Sequence, residues 1–202
     1  MGVLFMEKIK IITDSTLDLP AELIREKNIE VLPLLINFGE ESYLDGVEIT
    51  TKEMIDKINS TGVLPTTAQV TPNRFEETFK KYLDEGYKIV VLTLSSDMSG
   101  TYQSACIAKD MLESDDIVVI DSRNVTSGLG LLVLKACELR DKGLGIKEIE
   151  EEMARRFEKE LEEKEAELSK LTKGLSTKEL EIEAKKQVIE KKNGTIEINL
   201  KK

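Results

Sequence analysis

Short, almost wholly apolar runs alternate with amphipathic helical patterns from residue 8 to about 155, and this alternation constrains the fold more than any other feature. Lys8 to Thr13 is a β-rich run closed by Asp14, and Ile29 to Asn37 is a second, in which Pro33 marks an end or an edge. Lys88 to Leu94 and Ile117 to Ile120 are two more, each followed at once by polar and glycine residues. Helical patterns separate them. Asp18 is expected to cap a helix with Pro20 in its first turn and Leu23 and Ile24 facing inward. Thr50-Thr51-Lys52-Glu53 is a capping box opening a helix with Met54, Ile55 and Ile58 on one face. Thr71-Pro72 opens another, with Phe75, Phe79 and Leu83 at spacings of four. Strands without polar alternation are buried on both sides, so the pattern predicts an α/β fold: a mostly parallel sheet with helices on both faces.

In such sheets ligands gather beyond the carboxyl ends of the strands. Four polar loops are expected there: Asp14-Ser15-Thr16, Thr66-Thr67-Ala68-Gln69, Ser95 to Thr101, and Asp121-Ser122-Arg123. The third stands out, because Ser96, Ser99, Gly100 and Thr101 lie where a strand hands over to a helix. A helix start has free N–H groups and partial positive charge, Gly100 is expected to let a ligand approach the backbone, and the hydroxyls add donors. Helix capping alone accounts for each loop taken singly. The net charge of −10 and isoelectric point near 4.8 argue against nucleic acid or an anionic membrane as partner, so an anionic ligand must be held locally. The chain has no histidine, which removes histidine triads and the commonest metal ligand. Cys106 and Cys137 form no metal-like spacing and read as reduced thiols in helices. No apolar run approaches the roughly 20 residues of a membrane span, and Gly2 to Met6 is too short for a signal-peptide core, which together predict a cytoplasmic protein.

Several separate segments resemble the DegV family, in order: Ile11 to Pro20, Val31 to Leu34, Tyr43-Leu44-Asp45, Pro65 to Gln69, Ser96 to Ala105 with its Ser-Gly-Thr-Tyr-Gln-Ser core, and Val119 to Ser122. The resemblance covers residues 8 to about 155. It implies a non-enzymatic protein that binds a single long-chain fatty acid, in some members presenting it to a fatty acid kinase. It also implies that the carboxylate is held by Thr67, Ser99 and Gly100, with Thr101, Asp14, Ser15 and Ser96 in the adjoining loops. The family's Thr-Ser-Gln-Pro-Ser reads Thr67-Ala68-Gln69-Val70-Thr71 here, so a hydroxyl is missing at position 68. Neutral hydroxyls and helix N–H groups suit a monoanionic carboxylate, and an acyl chain would add about 0.8 kcal/mol per buried methylene.

The family's second α/β domain, which closes over the ligand, has no counterpart in the pattern of residues 151–202. That stretch reads as a charged helical arm, set apart from a lipid-binding domain over 1–150. Leu161, Leu168 and Leu175 are seven apart with Leu171 between, a weak heptad interrupted at Gly174. Gln187 to Lys192 and Thr195 to Leu200 flank Asn193-Gly194, which predicts a terminal β-hairpin. Such a tail suits a solvated arm, a self-association element or a replacement lid.

Three readings follow. The first is a fatty-acid carrier with no cofactor and no metal. The second is a phosphoryl-transfer or magnesium-dependent enzyme using Asp14 with Asp45 or Asp121, although neither a Walker lysine motif nor a dinucleotide glycine fingerprint is present. The third is an interaction module with an incomplete pocket.

Overall fold

The computed structural model describes residues 7–200, with backbone only at 160, 180, 184 and 187–200. Four parallel strands form the central sheet in the order β2-β1-β6-β7: β1 Ile9–Asp14, β2 Ile29–Leu32, β6 Lys88–Thr93 and β7 Ile117–Asp121. β1 lies between β2 and β6, in register with both. The chain winds outward from β1 in one direction to β2 and in the other to β6 and β7. The crevice between the ends of β1 and β6 is therefore the switch point at which open α/β sheets receive ligands.

Both faces of this sheet are covered, as the uninterrupted apolar runs require. Strand alternation puts Ile12, Ile89, Val91 and Ile117 on one side, in a core with Phe75, Phe79, Ala105 and Ala108. Phe75 and Phe79 come from α3 (Pro72–Asp84), and Ala105 and Ala108 from α4 (Thr101–Leu112). The two rings are fully buried, with centroids 5.6 Å apart. Ile11, Val90, Leu92 and Val118 point the other way, the side taken by α5 (Ser127–Asp141) with its buried Leu129, Val133 and Ala136. A Cβ at Gly130 would lie 2.4 Å from the carbonyl oxygen of Leu17, so α5 approaches the first loop as closely as it does because residue 130 has no side chain.

Several expectations are corrected. Ile29 to Asn37 is two strands. Pro33 has no N–H to continue the ladder, and beyond it β3 (Leu35–Phe38) joins β4 (Glu41–Leu44) and β5 (Thr66–Ala68) in a separate antiparallel sheet ordered β4-β3-β5. The cap of α1 (Ala21–Glu26) is Pro20, while Asp18 sits in the left-handed region closing a 3-10 turn over Ser15–Leu17; Leu23 and Ile24 are only half-buried. The capping box of α2 (Thr51–Thr61) is formed by Thr50 and Glu53. Met54 and Ile58 pack on Ile36, Phe38 and Ile49, but Ile55 is 48% exposed, one residue out of step with that face.

The largest correction is at the end of the chain. Two compact units divide at Met153/Ala154. α6 runs unbroken from Ile146 to Leu200, through Gly174 and through Asn193-Gly194, so the expected hairpin is helix. A hairpin without a sheet to join is marginal. Extending a helix already nucleated by glutamate- and lysine-rich sequence costs less than starting two strands, even across a glycine worth about 1 kcal/mol.

Candidate functional site

Asp14 ties the two central strands together at the switch point. Its carboxylate is fully buried; Oδ1 accepts from Thr16 N at 3.0 Å and Thr16 Oγ1 at 2.7 Å, and Oδ2 accepts from Leu94 N at 2.7 Å. Burial outweighs these bonds and holds the Asp14 carboxyl above the usual aspartate range, with Asp45 adding a smaller push in the same direction. Ser15 Oγ donates to Asp45 Oδ2 at 2.7 Å and accepts from Leu34 N at 3.1 Å. The first loop is thereby fastened to the β2–β3 junction and to the turn after β4.

The third and fourth loops are joined in the same way. Ser96 donates from both N and Oγ to Asp121, at 3.1 and 2.6 Å, and Arg123 N adds a third bond to that carboxylate. Ser95 N donates to the Asn124 carbonyl at 2.8 Å. The first, third and fourth loops are thus tied into one region, but Asp14, Ser15 and Ser96 spend their polar groups on bonds within and between loops rather than offering them outward. Asp14, Asp45 and Asp121 each accept hydrogen bonds from neighbouring groups, and among the described residues no group of three or more acidic, histidine or cysteine side chains could hold a metal ion. The magnesium site considered for Asp14 has no geometric support.

Free donors remain at the start of α4. The helix opens at Thr101 with Gly100 as its cap residue and no side-chain cap bond to the first turn from Gly100 itself. Thr101 is fully buried, and its N–H and hydroxyl both face Ser99 Oγ, at 3.3 and 3.0 Å. Ser99 Oγ accepts from Thr101 N, and in the bond between the two hydroxyls either can donate, so the Ser99 proton is available to an anion whenever Thr101 Oγ1 is the donor. Tyr102 N and Gln103 N, in the first turn, have no acceptor within the helix. One hydroxyl and two backbone donors, at the positive end of a 12-residue helix, make a site for a single negative charge.

Thr67 belongs to the second sheet, two residues before Gln69. It lies on β5, paired with Ile36, and is exposed. Sequence reasoning placed residues 66–69 in a polar loop and missed the strand, because Thr66–Ala68 is too short for a period-2 signal. It also left Gln69 unassigned. Gln69 Nε2 donates to Ser104 Oγ at 3.0 Å, while its Oε1 lies 2.1 Å from where a Cβ at Gly100 would be. The space that a side chain at position 100 would take is therefore filled by Gln69.

Large apolar side chains flank these polar loops. Leu64, just ahead of β5, is 76% exposed, and Met98, next to Ser99, is 64% exposed. A cleft of about 470 Å³ lies among Leu17, Leu19, Ile24, Val31, Pro33 and Val47, and of the expected site residues it reaches only Ser15. Cys106 and Cys137 are free thiols, both raised by burial, Cys137 to about 11, so neither is primed as a nucleophile.

Residues 8–161 match the DegV family, described as an uncharacterised protein family. A DegV domain-containing protein of Clostridium perfringens is 61% identical over 148 residues, which cover 73% of this chain and 53% of that protein. Among solved structures, a fatty-acid-binding DegV family protein from Thermus thermophilus superposes with a TM-score of 0.67 at 34% identity, covering 73% of this chain and 52% of its own. A stearic-acid-binding protein from Eubacterium ventriosum superposes with a TM-score of 0.68 at 28% identity, covering 72% and 52%. The chain spans about half the length of these relatives.

Proposed function

The chain belongs to the DegV family, and on that footing we propose that it binds one long-chain fatty acid by its carboxylate, at the start of α4 and beside Thr67. The observation that carries this reading is the Ser99 hydroxyl, bonded only to Thr101 beside it, next to the open first turn of α4. Solved relatives that bind fatty acids share this α/β unit, which supports the same ligand here. Exposed Leu64 and Met98 offer apolar surface beside the polar loops, as an amphipathic ligand requires. In this reading Thr67 and Ser99 meet the carboxylate with the first-turn N–H groups of α4, Gly100 and Thr101 shape that turn, and Asp14, Ser15 and Ser96 hold its loops in place.

The protein acts as a carrier without transforming its ligand, and hands the acid to a fatty acid kinase. Satisfied carboxylates and two unactivated thiols support the non-enzymatic role. Lipid binding belongs to residues 1–150, with 151–202 a separate helical arm. The arm self-associates: Leu161, Leu168 and Leu175 keep a seven-residue spacing that Ile182 continues, and each is more than half exposed. Two free thiols suit a reducing compartment, and we place the protein in the cytoplasm.

Native mass spectrometry of gently purified protein, with extraction of bound lipid, tests the central reading. One fatty acid per chain is expected. A protein that is empty and takes up no added palmitate would overturn it.

A further inference from the structure

We infer that Gln69 is a positioning residue of the carboxylate site: its amide occupies the side-chain place that Gly100 leaves empty and latches the strand bearing Thr67 to the first turn of α4. The inference rests on the carboxylate reading for its consequence, but the latch stands on geometry alone. Gly100 has φ −73° and ψ 5°, a conformation open to any residue, so no backbone requirement explains glycine there. Space does. A Cβ at position 100 would lie 2.1 Å from Gln69 Oε1, 2.9 Å from Cδ and 3.1 Å from Nε2, so the whole amide lies against the glycine. The amide nitrogen reaches past it to Ser104 Oγ at 3.0 Å, and Ser104 is buried at 1% exposure, one helical turn into α4. Ser104 N in turn donates to the Gly100 carbonyl at 2.9 Å, which closes a small ring of contacts over residues 69, 100 and 104.

The consequence for Thr67 follows from strand geometry. Residues two apart on an extended chain share a face and lie roughly 7 Å apart. Gln69 is the first residue past β5, so fixing its amide on Gly100 holds that end of the strand, with Thr67 two residues back, beside the start of α4. Of the contacts described around the site, the Gln69 amide is the one that spans β5 and α4. Gln69 itself is exposed, so it touches the site from its rim and acts through Thr67 and Ser99.

The relation between the two residues makes the test specific. An alanine methyl at position 100 pushes the Gln69 amide off Ser104, so Gly100→Ala breaks the same latch that Gln69→Ala removes. Palmitate affinity is expected to fall about three- to tenfold in each single variant, the range for one lost hydrogen bond, and the double variant should be no weaker than either single one to within about twofold. The temperature of unfolding should move little in Gln69→Ala, so that positioning and general stability are separated. Hydrogen exchange of the amides of residues 66–69 in ligand-free protein should quicken equally in all three variants. Additive losses of palmitate affinity would mean that glycine at 100 serves the ligand directly, and would overturn the inference. Unchanged exchange over 66–69 in Gln69→Ala would overturn it too. Should the unsubstituted protein fail to bind palmitate, the carboxylate reading falls, and the exchange measurement alone decides whether the latch exists.

Discussion

At the residue scale the proposed site divides into groups that hold loops and groups left over to bind. Asp14, Ser15 and Ser96 read in the sequence as candidate ligand contacts, since a strand-end aspartate followed by hydroxyls looks the same whether it faces a ligand or a neighbouring loop. Their partners decided the matter: Leu94 N is 80 positions from Asp14, and Asp121 is 25 from Ser96. In the proposed site Ser99 and Thr67 supply the hydroxyls, so Ser99→Ala and Thr67→Val should each weaken fatty-acid binding by about 1 to 3 kcal/mol, measured by titration calorimetry. Unchanged affinity in both folded variants would refute the assignment. Asp14 also leaves a signature in stability against pH. Its carboxyl is raised in the fold, so between the ordinary aspartate value and the raised one the native state holds a proton that the unfolded chain has released. Asp14's contribution is thus complete below pH about 4 and declines as pH rises through the raised value. Urea unfolding across that window should show the decline in the unsubstituted protein, and Asp14→Asn should lack that component.

At the element scale, legibility followed the strength of the local period. α3 was readable because Phe75 and Phe79 repeat at four and both proved fully buried; α2 was readable from its capping box. Thr50→Ala removes the acceptor for Glu53 N and should lower stability by about 1 kcal/mol, seen as a shifted urea midpoint with an unchanged slope. β5 was not readable, since three residues cannot display alternation and its identity rests on Leu35, Ile36 and Asn37 standing opposite. Nor did Asn193-Gly194 behave as its local chemistry suggests. A turn dipeptide specifies a hairpin only where two strands have something to pack on, and α6 carries helix across both glycines. Gly174 faces open space, with nothing within 4 Å of a built Cβ. Gly174→Ala should therefore stabilise the helix by about 1 kcal/mol, raising the 222 nm ellipticity remaining on heating; a drop would show that the glycine is a required break.

At the scale of the whole molecule, the family relationship covers the α/β unit, while residues past 161 lie beyond the family match. Self-association through α6 predicts a concentration-dependent mass in light scattering. Replacing Leu168 and Leu175 together with glutamate should return that mass to a single chain without altering fatty-acid uptake. The sequence by itself determined the parallel sheet and its helical cover, because runs such as Ile89 to Leu94 have no polar face to turn to water and must be buried on both sides. It also determined that Ser95 to Thr101 opens a helix at a strand's end. Only the tertiary structure decided which polar groups are spent and which are free. Hydrogen-bond partners such as Asp14 with Leu94 and Gln69 with Ser104 are remote in the chain, and a donor's availability depends on what stands across from it rather than on the residues beside it.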